Sequence, residues 1–94
     1  MVYNFPMTTP REPSGSPNQA LVRAIELLSA GDWQSAHTIV QQEKSALASW
    51  LHGIVHILEG DLDNARGWYR RADRPFPGPG AAQEEIAAAR KALG

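Results

Sequence analysis

The sequence predicts an all-α domain of about five helices, and three observations favour that class. Apolar side chains recur at three- and four-residue spacing over most of residues 18–94, which is the period of a helix with one buried face. Gly–Asp pairs interrupt this pattern at 31–32 and at 60–61, where glycine can end one helix and aspartate can cap the next. A Pro- and Gly-rich connector at 75–80 cannot be helical and separates off a last helix. We predict two helical hairpins followed by a C-terminal helix.

Residues 1–17 are predicted to be a disordered tail, and residues 18–94 a single helical domain. The tail holds four of the seven prolines together with Ser, Thr and Gly. It has too few large apolar groups to offset the entropy cost of ordering. The remaining domain is of a size that is only marginally stable alone, so self-association stays open.

The four outer helices are predicted from their caps and from their apolar positions. Ser16 and Gln19 form a capping box for the first helix. Asp32 and Asp61 can cap the second and the fourth helix. The last helix covers about 81–93. The apolar residues that these helices are expected to bury are Leu21, Ala24, Ile25, Leu28, Ala36, Ile39, Val40, Ala65, Trp68, Tyr69, Ala72, Ile86, Ala89 and Leu93.

The third helix, capped by Ser45 and running to about Glu59, is predicted to lie at the centre of the fold. Its apolar residues form two stripes, so the helix is hydrophobic over most of its circumference. The remaining polar side chains, from Ser45 through Ser49, His52 and His56 to Glu59, follow one line at successive turns. Such a helix is buried when neighbours pack around it.

The charge balance and the absence of cysteine narrow the classes of function. Nine Lys and Arg residues stand against ten Asp and Glu residues, which favours neither nucleic acid nor an anionic membrane as a partner. Without cysteine there is no disulfide framework, thiolate nucleophile or Cys-based metal site. No apolar run approaches ~18 residues, and the N-terminus lacks the pattern of a secretory signal. We expect a cytoplasmic protein without a membrane span.

The two Gly–Asp turns form an internal repeat, 29 residues apart. Gly60, Ala65, Tyr69 and Ala72 match the second helix of the tetratricopeptide repeat, and the first copy matches it more loosely. The chain therefore resembles tetratricopeptide-repeat proteins over residues 20–77, and the resemblance implies a right-handed stack of antiparallel helical hairpins. The period is shorter than the usual ~34 residues. Two histidines also stand where that repeat carries apolar or aromatic core residues.

A shorter stretch carries a second resemblance. The pattern HxxEGDxxNARxWYRRA, which spans residues 56–72, is similar to a signature in a group of small bacterial and fungal proteins with no assigned activity. This resemblance implies kinship with that group and no particular reaction.

His52 and His56 lie one helical turn apart and are candidate metal ligands, with Glu59 a further turn along. Three ligands on one helix strain most coordination geometries, so a second element would have to contribute, with His37 or Asp63. Because histidine pairs at this spacing occur often by chance, we assign no metal ligand, no cofactor and no catalytic residue from the spacing.

A structural interpretation of the same histidines is preferred at this point. One histidine would be buried and hydrogen-bonded while the other lines a solvated edge. We predict a polar network of His56 and Glu59 with Asn64 or Tyr69.

Arg66, Arg70 and Arg74 recur every four residues, with Arg71 beside them, so four of the nine basic residues fall within nine positions. Aspartates three positions away are expected to neutralise part of this charge. The neighbouring aromatic residues are predicted to belong to the core and not to stack on bases. A solvated basic face is therefore the favoured interpretation, with an acidic partner second and nucleic acid third.

These patterns predict a non-catalytic module that binds a protein or peptide. The alternative is a small-ligand or metal-dependent activity centred on His52, His56 and Glu59. The candidate binding residues are His52, His56, Glu59, Asn64, Arg66, Arg70 and Arg74.

Overall fold

The structure, a computed structural model, describes residues 17–93, and this part of the chain contains five helices and no strand. The predicted all-α class is confirmed. Residues 1–16 of the predicted tail, including Ser16, lie outside the described residues, whereas Pro17, the last residue of that tail, begins the first helix. The helices are α1 (Pro17–Ser29), α2 (Trp33–Val40), α3 (Ala46–Glu59), α4 (Leu62–Arg71) and α5 (Ala82–Leu93).

Both Gly–Asp turns form as the sequence predicts. Gly31 and Gly60 have φ angles of 84° and 89°, in the left-handed region that glycine adopts without a steric penalty. Asp32 caps α2 by accepting the backbone N–H of Ser35 at 3.1 Å, and hydrogen bonds from Ser35 hold the pKa of the Asp32 carboxyl below its ordinary value. Asp61 caps α4 in the same way. The two turns fold α1 onto α2 and α3 onto α4.

Helix α3 lies at the centre, in contact with each of the other four helices, as its apolar circumference predicts. Ser45 caps it by accepting the backbone N–H of Ala48 at 3.0 Å. Of the apolar residues expected to be buried on the outer helices, Ile39, Trp68 and Leu93 are only half-buried, and the others are buried. The buried residues of α3 are Ala48, Trp50, Leu51, His52, Gly53, Ile54, Val55, His56 and Ile57.

Helices α3 and α4 approach each other closely at Gly53. A side-chain carbon added at this glycine would lie 2.5 Å from Cδ1 of Tyr69, which is itself fully buried. Because Gly53 has no side chain, the Tyr69 ring can occupy the space beside its backbone. This contact sets the distance between the two helices of the second hairpin.

One carboxylate of α5 bonds to both helices of the second hairpin, in addition to the apolar residues that α5 buries in the core. Oε1 of Glu85 accepts hydrogen bonds from the Tyr69 hydroxyl at 2.8 Å and from Trp50 Nε1 at 2.9 Å. Burial and the bond to Glu85 raise the pKa of Tyr69 above its ordinary value. Because both partners are buried side chains of other helices, Glu85 joins α3, α4 and α5 at one point. The predicted network between His56 and Tyr69 is therefore wrong, since Tyr69 bonds elsewhere.

The connector between α4 and α5 is not helical, as its prolines predict. Its Phe76 packs against the core, with its ring edge-to-face against Tyr69 at 5.7 Å between centroids. Within residues 17–93, none of the helices has the length and hydropathy needed to cross a membrane.

Candidate functional site

Three histidines, one from α2 and two from α3, lie close together between these helices. His37 Nε2 lies 3.0 Å from His52 Nε2. The ring centroids of His37 and His56 are 5.3 Å apart, and those of His52 and His56 are 5.1 Å apart. One ring nitrogen from each residue lies within 4.8 Å of the other two. We call these three residues the histidine cluster; it contains every histidine in the sequence.

Helix packing brings the cluster together. His52 and His56 are one turn apart on the same side of α3. His37 lies in the last turn of α2, directly after Ala36, which is fully buried. Because the small Ala36 lets α2 lie close to its neighbours, the next side chain reaches the His52 ring. The sequence indicated His37 or Asp63 as a contributor from a second element, and the structure places His37 there.

The burial of the two α3 histidines differs from the preferred structural interpretation. His52 is 5% exposed and His56 is 6% exposed, so neither lines a solvated edge. Both residues belong to the buried part of α3. Each ring is accommodated there because it packs against other rings instead of against aliphatic side chains alone.

Glu59 orients His56. Its Oε1 lies 2.7 Å from Nδ1 of His56, one helical turn away. This bond places the Nδ1 proton of a neutral His56 toward the carboxylate and leaves Nε2 as an acceptor. Carboxylates that hold the second nitrogen of a ligating histidine are a common feature of metal sites. The predicted contact between His56 and Glu59 is present, and it gives Glu59 a positioning role.

Trp68 also belongs to the site, although the sequence placed it in the core. Its ring stacks on His52 with centroids 3.7 Å apart and planes 9° from parallel. The guanidinium of Arg71 also lies over the ring of this half-buried side chain, 4.8 Å from the ring centroid. Trp68 therefore covers one face of the histidine cluster and limits the rotation of the His52 ring.

Asn64 is not part of the cluster, in contrast to the predicted network. Its side-chain amide donates to Asp61 Oδ2 at 3.2 Å, and its backbone N–H faces the same carboxylate. Asn64 thus reinforces the cap of α4. The other three predicted binding residues, Arg66, Arg70 and Arg74, lie along α4 and the start of the connector, where they line a groove.

The His52 ring is held neutral in the folded protein. Burial lowers its pKa most, and His37, His56 and the Arg71 guanidinium lower it further, to about 4. A neutral imidazole has one ring nitrogen with a free lone pair. At neutral pH, His52 therefore presents a lone pair and carries no positive charge.

This depressed pKa predicts a loss of stability in acid for metal-free protein. The unfolded chain binds a proton at His52 near pH 6.5, whereas the folded protein does so only near pH 4. The free energy of unfolding should therefore fall as the pH drops through this window, by about 1–3 kcal/mol. Urea unfolding at pH 7 and at pH 4.5 in the presence of a chelator measures the change.

The contribution of His52 can be separated from that of the groups around it. These groups are His37 on α2, His56 and its partner Glu59 on α3, and Arg71 on α4. The substitution His52→Gln should flatten the pH dependence. A His52 ring resonance that titrates near pH 6.5 in the folded protein would contradict the assignment.

The geometry of the histidine cluster fits a metal ion. Two nitrogens bound at 2.0–2.1 Å in a tetrahedral zinc site are about 3.3 Å apart, close to the 3.0 Å between His37 Nε2 and His52 Nε2. His56, Glu59 and Asp61 form a second group of potential ligands in the described part of the chain. Asp61 is exposed and already caps α4, so the three histidines are the better donor set.

No family model, no curated protein and no solved structure matches this chain. The resemblances to tetratricopeptide-repeat proteins and to the HxxEGDxxNARxWYRRA group stay predictions. Within residues 17–93 the structure has five helices and a largely buried histidine cluster between α2 and α3.

Proposed function

We propose that this protein binds a divalent transition-metal ion through His37, His52 and His56. The single observation that carries the proposal is the convergence of one nitrogen from each ring within 4.8 Å, at a largely buried position. Imidazole nitrogen is a ligand that Zn²⁺, Ni²⁺ and Cu²⁺ prefer. Metal binding is thus the second of the two functions that the sequence left open, with His37 added and Glu59 in a supporting role.

Hydrogen bonding between rings joins only two of the three histidines. The two facing nitrogens of His37 and His52 can share one proton, so only one of these rings donates to the other. In the neutral form of His56, Nε2 carries no proton when Nδ1–H donates to Glu59. One metal ion would accept a lone pair from all three rings at once.

A three-histidine site supports binding of a further ligand. Structural zinc sites use four protein ligands, whereas sites with three protein ligands keep one position for water or another small molecule. His37 is half-buried, so the cluster is not closed to solvent on the α2 side. We assign no reaction to this position.

Titration of untagged, chelator-treated protein with zinc tests the proposal. We expect one ion per chain with a Kd below about 1 μM, equivalent to more than about 8 kcal/mol, and shifts of all three histidine ring resonances. Isothermal titration calorimetry gives the stoichiometry and the affinity. His37→Ala should weaken binding by at least about 100-fold, because it removes a ligand, and Glu59→Gln by about 10- to 100-fold.

The control is Asp63→Asn. It removes an exposed carboxylate from the first turn of α4 and should leave zinc affinity unchanged. Non-stoichiometric binding in the millimolar range would count against the proposal. So would an unchanged affinity in His37→Ala, because the ion would then lie at His56, Glu59 and Asp61 instead.

A further inference from the structure

We infer that a groove at the end of α4 is the docking site for an acidic peptide segment of another protein. This inference goes beyond metal binding and does not depend on it, because the groove involves none of the three histidines. The groove has a volume of about 410 Å³ and is formed by α4 and the connector that follows it. We call it the arginine groove; its charged residues are Arg66, Arg70, Asp73 and Arg74.

The arginine groove carries a local positive charge on a chain whose overall charge is negative. Three arginines and one aspartate give the groove a net charge of about +2, whereas the whole chain carries −1. This contrast makes the groove a distinct feature of the surface. An acidic segment is the complementary partner, because opposite potentials across an interface favour encounter and orientation.

Arg70 is available for a partner. The sequence predicted that Asp73 would neutralise it, but Arg70 is exposed and makes no ion pair or side-chain hydrogen bond within residues 17–93. Asp73 instead adopts a left-handed φ of 59° at the end of α4. Its backbone N–H bonds to the carbonyl of Arg70, in the turn that ends the helix.

The other two guanidiniums are held in place by aromatic rings. Arg74 lies over the ring of the buried Trp50, 3.5 Å from its centroid. Arg66 lies over the Phe76 ring at 5.0 Å and also contacts Asp63 at 3.2 Å. Both members of the latter ion pair are exposed, so it competes weakly with a new partner. Stacked guanidiniums keep their N–H edges free to bind carboxylates in their own plane.

The groove suits a peptide better than a nucleic acid. Non-specific binding of single strands depends on exposed aromatic rings that stack on bases. Here Tyr69 is fully buried. The Phe76 ring is covered on one side by Arg66 and packs edge-to-face with Tyr69. Pro75 and Phe76, which also line the groove, can instead contact one aliphatic side chain between two acidic residues of a peptide.

Fluorescence anisotropy with defined probes tests the inference. The first probe is the labelled peptide Gly-Glu-Glu-Leu-Glu-Glu-Gly, the second is the same peptide with Gln for every Glu, and the third is a single-stranded DNA 10-mer. We expect the acidic peptide to bind at least about tenfold more tightly than the other two and to weaken as salt is added. Equal binding of the two peptides, or tighter binding of the DNA, would overturn the inference.

Two charge reversals of equal size locate the binding site. Arg70→Glu should weaken binding of the acidic peptide by at least about tenfold, because it replaces an attraction by a repulsion. Arg23→Glu alters an exposed residue on α1 and should change the affinity less than about twofold. Equal losses in the two variants would show a net-charge effect without a docking site. His37→Ala should bind the peptide normally, so failure of the metal proposal leaves this test intact.

Discussion

Replacing Gly53 by alanine is expected to destabilise the protein by about 3 kcal/mol. The added carbon would lie 2.5 Å from Cδ1 and 2.6 Å from Cε1 of Tyr69, closer than such carbons occur in proteins. The ring cannot move aside, because it is fully buried and its hydroxyl is bonded to Glu85. The clash can therefore be relieved only if α3 and α4 move apart, and this movement disturbs the packing of the second hairpin.

Gly67 provides the matched control for this substitution. It also lies within a helix, and a side-chain carbon added there meets nothing within 4 Å. Gly67→Ala should therefore stabilise the protein by about 0.5–1 kcal/mol, because alanine favours the helix. Urea unfolding followed by circular dichroism compares both variants with the natural chain. If Gly53→Ala proved as stable as Gly67→Ala, the close approach of α3 and α4 would be wrong.

The parts of the fold that the sequence predicts correctly are local in origin. The turn at Gly31 and Asp32 depends on one residue that tolerates positive φ and on one side chain that caps the next helix. Both requirements are visible in adjacent residues, and the copy at Gly60 and Asp61 repeats them. The central place of α3 also follows from its own composition, since it has too few polar positions to cover a solvated face.

The candidate site is harder to predict because its contacts join distant parts of the chain. His52 and His56 are visible as a pair on one helix, but the choice of His37 as their neighbour depends on how α2 packs against α3. A usable signal was the buried Ala36 directly before His37, five residues after the turn glycine. Glu85 gave no such signal, because its two partners lie 16 and 35 residues earlier.

Trp68 shows why helical periodicity misplaces some aromatic residues. Its spacing from Ala65 and Ala72 predicts an inward position, and the side chain does turn toward α3. There it meets the His52 ring instead of aliphatic side chains, and it remains half-buried. The buried histidines thus account for the position of Trp68 as well, because His52 packs against both the His56 ring and the indole.

Saturating zinc is expected to raise the free energy of unfolding by about 4 kcal/mol when free zinc exceeds the Kd about 1,000-fold. The reason is that the proposed metal ligands come from two different helices. His37 belongs to α2, whereas His52 and His56 belong to α3, so the unfolded chain has no assembled site. The binding free energy then adds to the stability of the folded state alone. Urea unfolding of chelator-treated protein, with and without zinc, measures the difference.

The effect of His37→Ala distinguishes metal linkage from a purely structural histidine cluster. The His37 ring is only half-buried, so its loss should cost metal-free protein about 1 kcal/mol or less. The stabilisation by zinc should fall by at least about 2.7 kcal/mol, because the affinity falls at least about 100-fold. Glu59→Gln should retain zinc stabilisation reduced by about 1–3 kcal/mol, since it only loosens the orientation of His56. A purely structural cluster gives the opposite pattern. His37→Ala then destabilises metal-free protein strongly, and zinc changes the stability of neither the natural protein nor the variant. Only the first pattern is consistent with three rings that converge to hold an ion.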